Sequence, residues 1–84
     1  MPYAFHSAAY KTLLELLVAA RRQKGLNQTE LGKRLGRRQT FVSKVELGER
    51  RLDLVEFLIL ADALDVDPHE VLKQVKKAIR TRKI

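Results

Sequence analysis

At 84 residues, with 45% hydrophobic side chains, no cysteine and a formal charge of +7, the chain has room for one domain and one core. That composition excludes a disulfide scaffold and a thiolate metal site, and the longest apolar runs, Leu16 to Ala20 and Phe57 to Ala61, fall far short of the roughly 18 residues that suggest a membrane span. Met1 to Ala9 lacks the basic start of a secretion signal, so the expectation is a soluble, unprocessed protein of a reducing cytoplasm.

The scarcity of glycine (four) and proline (two) favours helices over a turn-rich sheet. Ser7 is a good N-cap for a first helix reaching about Lys24, with Gly25 as its stop. Leu13, Leu16, Leu17 and Ala20 recur at three-and-four spacing and predict its buried stripe. Asn27 and Glu30 form a capping pair for a second helix, Gln28 to Leu35, with Leu31 and Leu35 inward. Gly36 suits the left-handed turn that ends it. A third helix follows from Arg38 or Gln39 to Leu47, with Val42 and Val45 inward and Gly48 as its stop.

Asp53 and Glu56 cap a fourth helix that continues to Leu64, with Leu54, Phe57, Leu58, Ala61 and Leu64 as its core stripe. Asp67, Pro68 and Glu70 open a fifth, whose apolar stripe is read as Leu72, Val75 and Ile79. The reading is an all-α, compact five-helix bundle in a single domain, 1–84, whose basic C-terminal helix and tail occupy 68–84.

Charge is unevenly placed along these helices. Residues 21–51 carry ten Lys or Arg against Glu30, Glu46 and Glu49; residues 52–72 hold six acids and no Lys or Arg; residues 73–84 hold six bases and no acid. Two basic regions flank an acidic one, which makes a polyanion the expected partner, nucleic acid ahead of an anionic membrane. His6 and His69 lie far apart, and no phosphate loop or metal-ligand cluster is present, so neither catalysis nor a metal or other cofactor is expected.

The stretch from Gly25 to Leu72, GLNQTELGKRLGRRQTFVSKVELGERRLDLVEFLILADALDVDPHEVL, resembles the helix-turn-helix family of Cro and the phage repressors, the XRE family. The resemblance covers about Leu13 to Leu72 and places the two-helix motif at residues 28–47. It implies a lambda-repressor-like DNA-binding domain, a bacterial or phage-derived regulator found with the nucleoid when bound, and repression through an inverted-repeat operator held by a homodimer. Where the family favours Ala at the contact between the motif helices, this chain has Gly32.

A major groove admits one helix, and bases are read best by side chains near its N-terminus. Gln39 can bond an adenine edge, Thr40 can offer a hydroxyl or a methyl, and one turn on Ser43 and Lys44 can face the groove with them. The resemblance assigns Gln39, Thr40, Ser43 and Lys44 to base or adjacent backbone contacts; the plainer alternative, solvated polar residues, stands beside it. Phe41 can pack partly on the core, wedge beside the groove or touch a thymine methyl, and partial packing is the favoured reading.

The amides at the start of the second helix, with Asn27 and Gln28, form an expected anion site, and Gln28 matches the family's phosphate-binding glutamine. Arg37, Arg38, Arg50 and Arg51 bracket the reading helix as candidate phosphate clamps. Arg21 and Glu46 match the family's pair between the first and third helices. In the fourth helix Val55 and Ile59 stand where polar residues are common, and are candidates for a dimer contact unless the C-terminal helix covers them. A second reading keeps an antitoxin or adaptor, which binds a protein partner through the C-terminal helix as well as DNA.

Overall fold

A computed structural model describes residues 7–81, with the backbone alone for Arg80 and Thr81. Five helices follow in chain order: α1 (Ala8–Gln23), α2 (Gln28–Leu35), α3 (Gln39–Glu46), α4 (Leu54–Ala63) and α5 (Pro68–Thr81), and no strand occurs among the described residues. None of these helices is long and apolar enough to cross a membrane.

The starts of the helices follow from their caps. The Ser7 hydroxyl accepts from the Tyr10 amide at 3.1 Å. Asn27 with Glu30, and Asp53 with Glu56, each form a complete reciprocal capping pair, which satisfies two amides at each helix start. The pair expected between Asp67 and Glu70 is replaced by another arrangement. The Asp67 carboxylate accepts from the His69 amide at 2.9 Å, and the Glu70 amide bonds the Asp67 main-chain carbonyl at 3.1 Å.

The ends are equally specific. Gly36 has φ +68°, where a side chain with a Cβ atom costs about 1 kcal/mol or more, and with Arg37 and Arg38 it forms the three-residue turn that joins α2 to α3. Asp65 takes the same conformation after α4, with φ 56°. Its carboxylate forms an ion pair with Lys24, which ties the end of α1 to the turn between α4 and α5.

Packing places α5 along α1, α2 across α3 and α4, and α3 against α1. The core between them is Leu17, Leu31, Val42, Phe57, Leu60, Leu64 and Val71, with Leu13, Leu16, Ala20, Leu35 and Phe41 packed against it. Phe41 therefore does pack in part on the core. Burying each of these large side chains contributes about 1.5–3 kcal/mol.

Two expected stripes are corrected. In α4 the buried row is Phe57, Leu60, Ala61 and Leu64, whereas Leu54 and Leu58 face solvent. Leu54, Leu58 and Asp62 form one row at four-residue spacing, and the charged Asp62 keeps that row outside. In α5 Val71 is buried and Val75 and Ala78 are partly so, while Leu72 and Ile79 are exposed. Leu72 and Ile79 share their face with Lys76, so solvent claims that row as well.

Candidate nucleic-acid interface

Gly32 sets how closely the two motif helices approach. A Cβ atom there would lie 2.8 Å from the Arg37 carbonyl oxygen and 3.2 Å and 3.3 Å from the Arg38 carbonyl carbon and oxygen. The Gly32 carbonyl itself accepts from the Arg37 amide at 2.8 Å. The absence of a side chain thus lets the chain entering α3 lie directly on α2.

Behind α3, Arg21 is the buried charge of the described chain, with 8% of its surface exposed. Its Nε and second terminal nitrogen donate to the two Glu46 carboxylate oxygens at 2.7 Å and 3.0 Å, and its remaining terminal nitrogen donates to the Leu26 carbonyl at 2.9 Å. The expected pairing of Arg21 with Glu46 is therefore present, and it is side-on and bidentate.

The pair continues outward as a chain of amides. Gln28 Nε2 donates to Glu46 Oε1 at 2.9 Å, and Gln39 Nε2 donates to Gln28 Oε1 at 2.7 Å. Gln39 is the first residue of α3 and is exposed. After its bond to Gln28 it keeps one N–H and its carbonyl oxygen, the donor and acceptor that an adenine edge complements. Thr40 and Lys44 are exposed on the same side of α3, and Ser43 is half-buried beside them.

At the start of α2, Asn27 is occupied by capping. Its Oδ1 accepts from the Glu30 amide, and its own amide donates to Glu30 Oε1, both at 2.8 Å. The Gln28 and Thr29 amides of the first turn stay outside that capping pair, and the Gln28 side chain is turned to Glu46 and Gln39.

The arginines divide into different environments. Arg38 is exposed at the N-cap of α3 with no side-chain cap bond. Arg37 and Arg50 stack on Phe41, 4.3 Å and 5.1 Å from the ring centre. Arg51 lies 4.1 Å over the Tyr10 ring, whose hydroxyl accepts from the Leu52 amide at 3.2 Å. The depression in front of α3 is lined by Arg37, Arg38, Thr40, Phe41, Lys44 and Arg50.

Two contributors go unread in the sequence, Tyr10 and Glu56. Glu56 Oε1 and Oε2 accept from Arg50 at 3.0 Å and 2.6 Å, Oε1 also takes the Asp53 amide at 3.0 Å, and Oε2 lies 3.8 Å from Arg37. The bond from Arg50, then that from the Asp53 amide, holds the Glu56 carboxyl below its ordinary pKa, and the same bond raises that of Arg50. The available signal was its spacing, three residues after Asp53 and six after Arg50, of which only the first reads as a cap.

Helix α3 thus starts at an exposed glutamine that is bonded to α2 and, through Gln28, to a buried ion pair, with cations around it. The chain matches the family described as helix-turn-helix over residues 17–71. It belongs to the XRE-type helix-turn-helix regulators.

An XRE-family like protein from Pseudomonas syringae pv. tomato str. DC3000 is 46% identical, with TM-score 0.80 over 86% of this chain and 88% of that one. The restriction-modification controller protein C.AhdI from Aeromonas hydrophila is 37% identical, with TM-score 0.69 over 77% of this chain and 98% of that one. The controller protein C.Esp1396I shares the fold at 20% identity, with TM-score 0.75 over 88% of this chain and 97% of that one. No protein of curated function matches the chain. Like other members, this XRE-type protein is a DNA-binding transcriptional regulator.

The remaining candidates lie away from α3. Val55 and Ile59 are exposed on α4 as the sequence reading expects, and α5 does not cover them. They join Leu54, Leu58, Leu72 and Ile79 in an apolar set that is 43–66% exposed. Among the described residues no group of His, Asp and Glu has the arrangement of a metal site.

Proposed function

We propose that this regulator is a sequence-specific repressor that binds an inverted-repeat operator as a homodimer. The observation that carries the reading is the chain from buried Arg21 through Glu46 and Gln28 to Gln39, because it holds a bidentate base reader at the exposed start of α3. Thr40, Ser43 and Lys44 extend the reading surface along the groove. The Gln28 and Thr29 amides, with Arg37, Arg38, Arg50 and Arg51, take phosphates on either side and fix register.

The homodimer is supported by the apolar set on α4 and α5. Leu54, Val55, Leu58 and Ile59 add an outer face to a helix whose inner face already fills the core. A soluble monomer rarely leaves such a face contiguous and open, and a two-fold contact covers it on both copies at once. Two copies then present two α3 helices to one side of a duplex. Likeness to a restriction-modification controller supports a role in transcriptional control.

Selection of tight binders from random duplexes tests this reading. An inverted repeat with half-sites about one helical turn apart is the expected result. Binding without base preference would leave only a basic DNA-coating domain.

A further inference from the structure

We propose that Glu56, on α4 and outside the two-helix motif, is a positioning residue for DNA binding: its carboxylate occupies the end of the Arg50 guanidinium and turns that group's side edge toward a backbone phosphate. The inference rests on the DNA-binding reading above and adds a residue of the opposite charge to it.

The donor inventory of Arg50 gives the orientation. A guanidinium has five N–H donors in a fixed fork. In Arg50 the first terminal nitrogen gives one to the Arg51 carbonyl at 2.6 Å and one to Glu56 Oε1 at 3.0 Å, and the second gives one to Glu56 Oε2 at 2.6 Å. What remains is the Nε–H and one N–H of the second terminal nitrogen, adjacent and parallel. Arg21 uses that same edge on Glu46. It fits two phosphate oxygens as well as it fits a carboxylate.

Glu56 is itself fixed, since the Asp53 amide bonds its Oε1 and the first turn of α4 carries it. Its side chain is well covered, at 19% exposure, against 39% for Arg50. Arg37 also stacks on the Phe41 ring and lies 3.8 Å from Glu56 Oε2, so this carboxylate stands beside two of the three arginines that line the depression in front of α3. An arginine already held in its bound geometry loses less freedom when a phosphate arrives, and preorganisation of this kind raises affinity without a new contact.

Simple charge counting predicts the opposite sign, because a carboxylate beside a polyanion is repelled and its removal strengthens binding. Glu56→Gln separates the two accounts, since glutamine keeps the capping pair with Asp53 while removing the charge. The measurement is the anisotropy-based affinity for the best duplex from selection, across a salt series, for the parent, Glu56→Gln, Arg50→Ala and the double variant. Thermal unfolding of each reports the fold.

The expected result is that Glu56→Gln binds about three- to tenfold more weakly than the parent, and adds little once Arg50 is already alanine. Glu56→Asp, which keeps the charge but shortens the reach, weakens binding too. Equal or tighter binding by Glu56→Gln, or a loss undiminished in the Arg50→Ala background, overturns the inference while the DNA-binding reading stands. A parent that binds no duplex overturns both.

Discussion

Arg21 lies side-on against Glu46, with its Nε 2.7 Å and its second terminal nitrogen 3.0 Å from the two carboxylate oxygens, and through Gln28 this pair links Gln39, at the exposed start of α3, to the interior of the protein. Glu46→Ala strands a guanidinium that is only 8% exposed, and the cost of breaking such a pair from one side is about 3–5 kcal/mol. Urea denaturation is expected to show that loss. Replacing both partners by apolar residues, Arg21→Met with Glu46→Leu, is expected to restore much of the stability without restoring DNA binding, because Gln28 then has no carboxylate to bond. A Glu46→Ala variant as stable as the parent contradicts the buried-pair account.

Gly32→Ala tests the close approach of α2 and α3. Alanine gains about 1 kcal/mol in helix propensity. Its Cβ, however, meets main-chain atoms of Arg37 and Arg38 at 2.8–3.3 Å, and backbone cannot swing aside as a side chain can. Overpacking of this kind costs about 1–3 kcal/mol, so a net loss of stability is expected by urea titration, together with weaker DNA binding as Gln39 shifts from Gln28. A gain in stability contradicts it, although the resemblance places alanine at this position in the family.

Much of this architecture is legible in the sequence because local chemistry determines it. Ser7, Asn27, Asp53 and Gly36 mark helix ends through bonds to residues close by in the chain, and α2 has the limits that its caps predict. Rows in α4 are harder, because Leu54 and Leu58 are as apolar as Leu60 and Leu64. Only Asp62 on the first row tells outside from inside. The links from Glu46 to Gln28 and from Glu56 to Arg50 are beyond periodicity, since both depend on how helices and loops cross. Resemblance supplied the Arg21–Glu46 pair; nothing in the chain's own pattern joins residues 25 positions apart.

Acid is expected to loosen the fold through three carboxylates. Glu56 is lowered by Arg50, Asp65 by Lys24, and Asp67 by the His69 amide and ring. Each has a lower pKa folded than unfolded, so below the ordinary values of 4.5 for Glu56 and 3.8 for the aspartates the unfolded chain binds more protons. Their stabilisation is full above that range and is lost as the pH falls through it. Urea midpoints measured from neutral pH to about pH 3 should fall, and the fall should be shallower in Glu56→Gln. A midpoint independent of pH contradicts these pairings.

Ile59→Asp addresses the dimer. Placing a charge in the centre of the apolar face of α4 is expected to leave a folded monomer, seen by sedimentation equilibrium, whose affinity for a two-half-site duplex falls far more than its affinity for one half-site. Unchanged dimerisation places the contact elsewhere.

The central claim is that α3 reads bases through a glutamine held from behind. Duplex selection run in parallel on the parent and on Gln39→Ala tests it most directly. The account predicts an inverted repeat for the parent and, for the variant, loss of about 1–3 kcal/mol of discrimination at one adenine of each half-site with the other positions retained. Identical base preferences for the two proteins would contradict it.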